Sequence, residues 1–147
     1  MKLITENRKA YHDYTIDEKL ETGISLVGSE IKSIKQGRIN LKDAYCIIKN
    51  GELFLLGAHI STFEKTSSFA PDQLRTRKLL AHKAEILKLE RKTKIKGYSL
   101  VPLSVYIVNG KAKLEIGVAK GKREYEKRDA IKERESRREI ERSLKEN

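Results

Sequence analysis

Apolar residues fall into short runs set off by turn chemistry rather than into long helical stripes. Residues 44–49 (Ala-Tyr-Cys-Ile-Ile-Lys) and 52–56 (Glu-Leu-Phe-Leu-Leu) flank Asn50-Gly51, while residues 99–108 and 111–118 flank Asn109-Gly110. Asn-Gly tolerates the positive φ that a two-residue turn requires, and the flanks are rich in β-branched and aromatic residues, so both stretches read as hairpins. Alternation is cleanest in the last run, where Ala112, Leu114, Ile116 and Val118 share one face and Lys113 and Glu115 the other. Pro102 lacks an amide donor, which predicts an edge or a bulge in its strand. Tyr11 to Glu21 reads as a further strand, with no breaker before Gly23.

Two segments carry helical spacing. One is Gly28 to Lys35, with Ile31 and Ile34 three apart and Gly37 beyond its end; the other is about His82 to Lys94, with Ile86, Leu87 and Leu89 inward. Thr62 to Arg77, containing Ser67, Ser68, Pro71 and Asp72, reads as a long loop. Short antiparallel strands with inserted helices predict a mainly β fold, a closed OB-like antiparallel β-barrel of five or six strands.

Charge divides the chain in two. Its 147 residues hold 32 Lys and Arg against 21 Asp and Glu, a formal +11, with 38% apolar positions, enough for one modest core. Residues 1–119 carry 21 basic and 13 acidic side chains among the apolar clusters, and define the expected body. Residues 120–147 carry 11 basic and 8 acidic ones, and their apolar residues are few: Tyr125, Ala130, Ile131, Ile140 and Leu144. This tail cannot bury enough surface to offset its own ordering. Glu124 with Arg128, Glu133 with Arg137 and Glu141 with Lys145 sit i to i+4, acid first, each adding about 0.2–0.5 kcal/mol to a helix. The tail is therefore expected to be disordered or marginally helical when free and to become fixed on a partner.

The surplus of cations points to a polyanion, with nucleic acid foremost. The N-terminal stretch has no apolar run of signal-peptide length, and the best apolar run, Leu53 to Ala58, is too short to span a bilayer. With Cys46 alone no internal disulfide can form, so a soluble cytoplasmic protein is the expectation. Catalytic and metal chemistry find no support: Gly117-Val-Ala-Lys-Gly-Lys-Arg123 has the wrong glycine spacing for a phosphate loop and Arg123 where Ser or Thr is needed. His12, His59 and His82 have no partners at zinc spacing. Cys46 and His59, in apolar strands, read as structural.

Two clusters remain. His12 lies among Arg8, Lys9, Tyr11 and Tyr14, a mixture of cations and rings that can hold phosphates and stack on bases, or equally form a solvated face. Arg75, Arg77 and Lys78, followed by His82 and Lys83, form a second basic cluster before a helix, able to bind phosphate oxygens or simply to solubilise the surface.

Taken in order, Asn7-Arg-Lys-Ala-Tyr-His-Asp-Tyr14, Glu21-Thr-Gly23, Gly28-Ser-Glu-Ile-Lys-Ser33, Arg75-Thr-Arg-Lys-Leu-Leu80, Leu100-Val-Pro-Leu103, Gly117-Val-Ala-Lys-Gly-Lys122 and Lys127-Arg128 resemble the SmpB (small protein B) family over almost the whole chain. That resemblance implies a body that binds the tRNA-like domain of transfer-messenger RNA (tmRNA) and replaces its missing anticodon arm. It implies a tail that enters the vacant messenger channel of a stalled ribosome and becomes helical there. The family's RNA-contacting positions correspond to Asn7, Glu21, Leu80 and Lys113, to which the basic cluster adds Arg75, Arg77 and Lys78. Ribosome-contacting positions are His12, Tyr14, Lys122, Arg123, Tyr125, Glu126, Lys127 and Arg128.

Three positions depart from the family pattern: Glu126 stands for Asp, Thr22 for Ala, and Ala81 for a third Leu. The implied role is a non-enzymatic adaptor in trans-translation, partnered by tmRNA, the ribosome and, through tmRNA, the elongation factor that carries aminoacyl-tRNA. Neither membrane nor DNA is implied as a partner, and no cofactor is. A structural ribosomal or ribonucleoprotein component is the alternative that a basic barrel with a basic tail equally suits, and an RNA-processing enzyme is a more distant one.

Overall fold

Both Asn-Gly steps turn the chain with positive φ, Asn50 at 54° and Gly51 at 74°, Asn109 at 50° and Gly110 at 75°. The structure is a computed structural model that describes residues 1–61 and 72–122. In chain order its elements are β1 (Lys2–Glu6), α1 (Arg8–Asp13), β2 (Tyr14–Ile24), α2 (Gly28–Lys35), β3 (Ile39–Asn40), β4 (Tyr45–Lys49), β5 (Glu52–Leu56), β6 (His59–Ile60), β7 (Arg77–Leu80), α3 (Lys83–Thr93), β8 (Tyr98–Val108) and β9 (Lys111–Gly121).

The strands pair in the order β8-β4-β5-β7-β2-β9, and β9 pairs back onto β8, so the sheet closes on itself. All pairings are antiparallel. This is the expected OB-like barrel, with β1 added beside β8 and the short β3–β6 ladder outside the ring. Closure removes the unpaired edges an open sheet would present. Inward positions of β5, β7, β8 and β9, including Leu53, Leu55, Leu79, Val105, Leu114 and Ile116, fill the interior with α2's Ile34 and α3's Ile86 and Leu89. At Pro102 the β8–β9 register shifts, the bulge expected where a donor is missing.

Several boundaries and the facing of one residue differ from the sequence reading. Tyr11 to Asp13 is the end of α1, because the Asn7 side chain accepts from the Ala10 amide at 3.3 Å and starts a helix whose buried residue is Ala10. Leu87, expected inward, is exposed on α3, whose buried side is Ile86 and Leu89. Arg77 begins β7 instead of ending a loop; most of the remainder of that loop, residues 62–71, lies outside the described residues. β9 also continues past Ala119, with Lys120 opposite Thr15 and Gly121 opposite Tyr14, so the barrel runs two residues beyond the boundary that charge marked.

A second small core sits on the outside of the barrel. Ala10 of α1 packs with Val101, Leu103 and Ala119, joined by Tyr11, Tyr14 and Ile16. Gly117 permits it, since a Cβ there would lie 2.9 Å from Leu103 Cδ1 and 3.0 Å from Ile16 Cγ2. The helix is thereby held against β8 and β9, where β2 begins and β9 ends.

Candidate nucleic-acid interface

Glu21, Leu80 and Lys113 converge. They line one groove of about 400 Å³ with Thr22, Gly23, Ala81, His82 and Glu85, contributed by β2, β9, the end of β7 and the first turn of α3. The register explains the meeting: Gly23 is paired with both Leu80 and Lys113. A Cβ at Gly23 would lie 3.2 Å from Leu80 Cβ, so the glycine lets β7 close in and leaves the leucine side chain on the surface, 53% exposed. Alternation along β7 puts Arg77 and Leu79 inside, Lys78 and Leu80 outside.

The carboxylate of Glu21 is oriented, not free. Tyr106 Oη donates to its Oε2 at 2.5 Å, and burial together with that bond pushes the tyrosine hydroxyl far above its ordinary value of 10. One Glu21 oxygen is thus held while the other can accept from a donor in the groove. Glu85 accepts from the His82 amide at 3.1 Å and fixes the start of α3. A carboxylate acceptor, an ammonium donor and an exposed leucine together suit base edges, ribose and a phosphate better than a small anion. Thr22 borders the groove but offers it no free hydroxyl: the residue is buried, and its Oγ1 donates to the Leu114 carbonyl at 3.0 Å in the barrel wall. Ala81 packs partly against the main core.

Asn7 is elsewhere and buried. Its Nδ2 donates to the carbonyls of Pro102 at 2.9 Å and Leu41 at 3.3 Å, so it ties α1 to β8 and to the segment after β3. Beside it His12 is exposed, with Nδ1 2.9 Å from Asp13 Oδ1, and Tyr14 is half-buried opposite Gly121. Lys122 Nζ donates to the Tyr11 carbonyl at 3.3 Å. Asn7, Ala10, Tyr14, Tyr45 and Tyr98 border a cleft of about 690 Å³ beneath α1. Tyr14 and Glu21 are separated along β2 by about 23 Å at 3.3 Å per residue. The groove and the α1 cluster are therefore distinct surfaces on one strand. Arg123, Tyr125, Glu126, Lys127 and Arg128 lie outside the described residues.

Arg77 corrects the sequence expectation of a surface contact. Its side chain is 0% exposed, with Nη2 2.6 Å and Nε 2.9 Å from Glu30 Oε2 and Nη1 2.8 Å from the Ala58 carbonyl. Arg75, half-buried, spends its guanidinium on Glu30 Oε1 at 2.6 Å and the Ser25 carbonyl at 3.3 Å. Burial alone would push the Glu30 carboxyl up, but hydrogen bonds from Arg75, the Val27 amide and Arg77 hold it below its ordinary value of 4.5. This ion triad ties α2 to β7. Of the three cations, Lys78 alone is exposed, and it pairs with Glu52 at 3.4 Å. Sequence reading missed Glu85, which lines the groove, and the buried Tyr106, which orients Glu21 from behind it. Strand 98–108 does not alternate cleanly, so its pattern does not mark which side Tyr106 faces.

Among the described residues, no group of three or more His, Cys, Asp and Glu is placed to hold a metal, and no helix is long and apolar enough to cross a membrane. Cys46 is buried in β4, and desolvation pushes its thiol far above the ordinary range.

Fold and surface together define a small OB-like β-barrel protein with a basic surplus and a polar groove at one end of its longest strands. The model of the SmpB protein family matches residues 4–146, and the chain belongs to that family. It is 54% identical over 145 residues to the SsrA-binding protein of Geobacillus kaustophilus, covering 99% of this chain and 94% of the relative. To the SsrA-binding protein of Acetivibrio thermocellus it is 53% identical over 146 residues, covering 99% and 95%. A solved chain described as "tmRNA-SmpB: a journey to the center of the bacterial ribosome" superposes with a TM-score of 0.69 at 43% identity, over 80% of this chain and 83% of that one.

Proposed function

We propose that the protein binds tmRNA and delivers it to stalled ribosomes for trans-translation, so that translation resumes on that RNA and the nascent peptide is tagged for proteolysis. The observation that carries this reading is the convergence of Glu21, Leu80 and Lys113 from three strands into one groove, in a chain similar over nearly its whole length to SsrA-binding proteins. Leu80 supplies apolar contact, Glu21 accepts from base amino or imino groups, and Lys113 neutralises a phosphate. Asn7 acts through α1, whose position it fixes, rather than by touching RNA.

At the far end of β2, His12, Tyr14 and Lys122 face the decoding centre. From there residues 123–147 leave the barrel and enter the messenger channel when it is empty, folding as a helix against its phosphates. The elongation factor that carries aminoacyl-tRNA arrives through its own contacts with tmRNA. The protein works in the cytoplasm by positioning alone, and peptide-bond chemistry belongs to the ribosome. The chain ending after Lys122 tests the division of labour. It is expected to keep its affinity for the tRNA-like domain within about threefold, a difference below 1 kcal/mol, and to lose tagging on stalled ribosomes. Retained tagging would overturn the role of the tail, and lost RNA affinity the role of the barrel.

A further inference from the structure

The groove is poorly charged for holding a polyanion. Its lining sets Glu21 and Glu85 against Lys113, with His82 beside them, so the attraction that dominates RNA affinity has to come from adjoining surface. The first turn of α3 forms one wall of the groove, and the helix then runs away from it. Ile86 and Leu89 face the core, whereas Lys83, Leu87, Lys88 and Arg91 are exposed. At about 100° per residue these four lie within an arc of roughly 140° opposite the buried pair, and Glu85 and Glu90 fall outside that arc.

Among the described residues, Lys83, Lys88 and Arg91 have no carboxylate within ion-pairing distance, whereas Lys92 pairs with Glu18, and Lys94 with Glu90 at 3.7 Å. A helix face of unpaired cations with a 44% exposed leucine between them is built for a charged partner that also presents apolar surface. RNA backbone has both, in its phosphates and riboses. We infer that the outer face of α3 is a phosphate track that carries the strand leading out of the groove, with Lys83, Lys88 and Arg91 as its contacts and Leu87 against ribose. Lys83 to Arg91 spans about 12 Å of helix axis, long enough to follow a few consecutive phosphates of one strand. The groove reads the RNA, and α3 supplies the charge that the groove lacks.

This inference rests on the proposed function, and its test separates the two. Binding of the full chain to the tRNA-like domain of tmRNA is followed by anisotropy across a series of potassium chloride concentrations. The variant Lys83→Gln/Lys88→Gln/Arg91→Gln is expected to lower the log-log salt slope by about 2 to 2.7, three contacts at 0.7–0.9 each. A control with the same loss of charge on other exposed positions, Lys32→Gln/Lys35→Gln/Lys49→Gln, is expected to shift it by less than about 0.7, one contact. Equal shifts in the two variants would mean bulk charge and overturn the track, as would an unchanged slope in the first. Absence of saturable binding by the unaltered chain would overturn the proposed function itself.

Discussion

Replacing Glu30 with Gln should be among the most damaging single changes in the barrel. The substitution keeps shape and removes one charge, leaving Arg77 as a cation with 0% exposure and, among the described residues, no counter-charge in contact. The carbonyls of Ala58 at 2.8 Å and Gln73 at 3.2 Å still accept from its guanidinium, so the hydrogen-bonding loss is partial. The electrostatic loss is not, and removing one partner of a buried pair costs about 3–5 kcal/mol. Against a total stability of about 5–15 kcal/mol that is a large fraction. Urea unfolding followed by circular dichroism at neutral pH would show a midpoint lowered by about 1 M or more, at slopes of about 1–3 kcal/mol/M.

The pH dependence has a fixed sign. Glu30 titrates below 4.5 in the folded protein, so its contribution is complete above that value and is lost as the pH falls through the depressed folded pKa. The gap between the two proteins must narrow in acid. Arg77→Met in the Gln background should restore part of the loss by removing the stranded charge. A cost below about 1 kcal/mol at neutral pH, well short of the buried-pair range, or a gap that widens in acid, would mean that Glu30 does not neutralise Arg77.

Other outcomes follow from the same geometry. Leu79→Ala should cost about 2–5 kcal/mol, whereas Leu80→Ala, one residue away on the exposed side of β7, should change stability by less than about 0.5 kcal/mol yet weaken binding of the tRNA-like domain. Gly117→Ala should cost about 1–3 kcal/mol by overpacking Leu103 and Ile16, with α1 amides losing hydrogen-exchange protection first. Lys113→Ala should flatten the salt dependence of RNA binding by one contact, a slope change of about 0.7–0.9; an unchanged slope would remove it from the phosphate contacts.

What the sequence made legible was local. Two Asn-Gly turns and the alternation of Ala112 to Val118 identify the hairpins, and the helix expected over roughly Gly28 to Lys35 is α2. What escaped depends on distant partners. Arg77 looks like part of a surface cluster until Glu30, 47 residues earlier, is seen beneath it. Once Arg77 is seen to begin β7, its period-two relation to Leu79 puts it on the inward face. The helix at Arg8–Asp13 is set by Asn7, whose side chain is held by Leu41 and Pro102 carbonyls remote in sequence. Resemblance named Glu21, Leu80 and Lys113 separately; register brought them together, α3 added Glu85, and Tyr106 proved to hold the Glu21 carboxylate.

The central claim, that this groove selects one RNA, is tested most directly by sequencing the RNA recovered with the protein from its own cells, unaltered and as Leu80→Ala/Lys113→Ala. A single structured RNA with tRNA-like ends and an internal reading frame is expected, strongly depleted in the variant. A mixture mirroring total ribosomal and transfer RNA, recovered equally with both proteins, would contradict it.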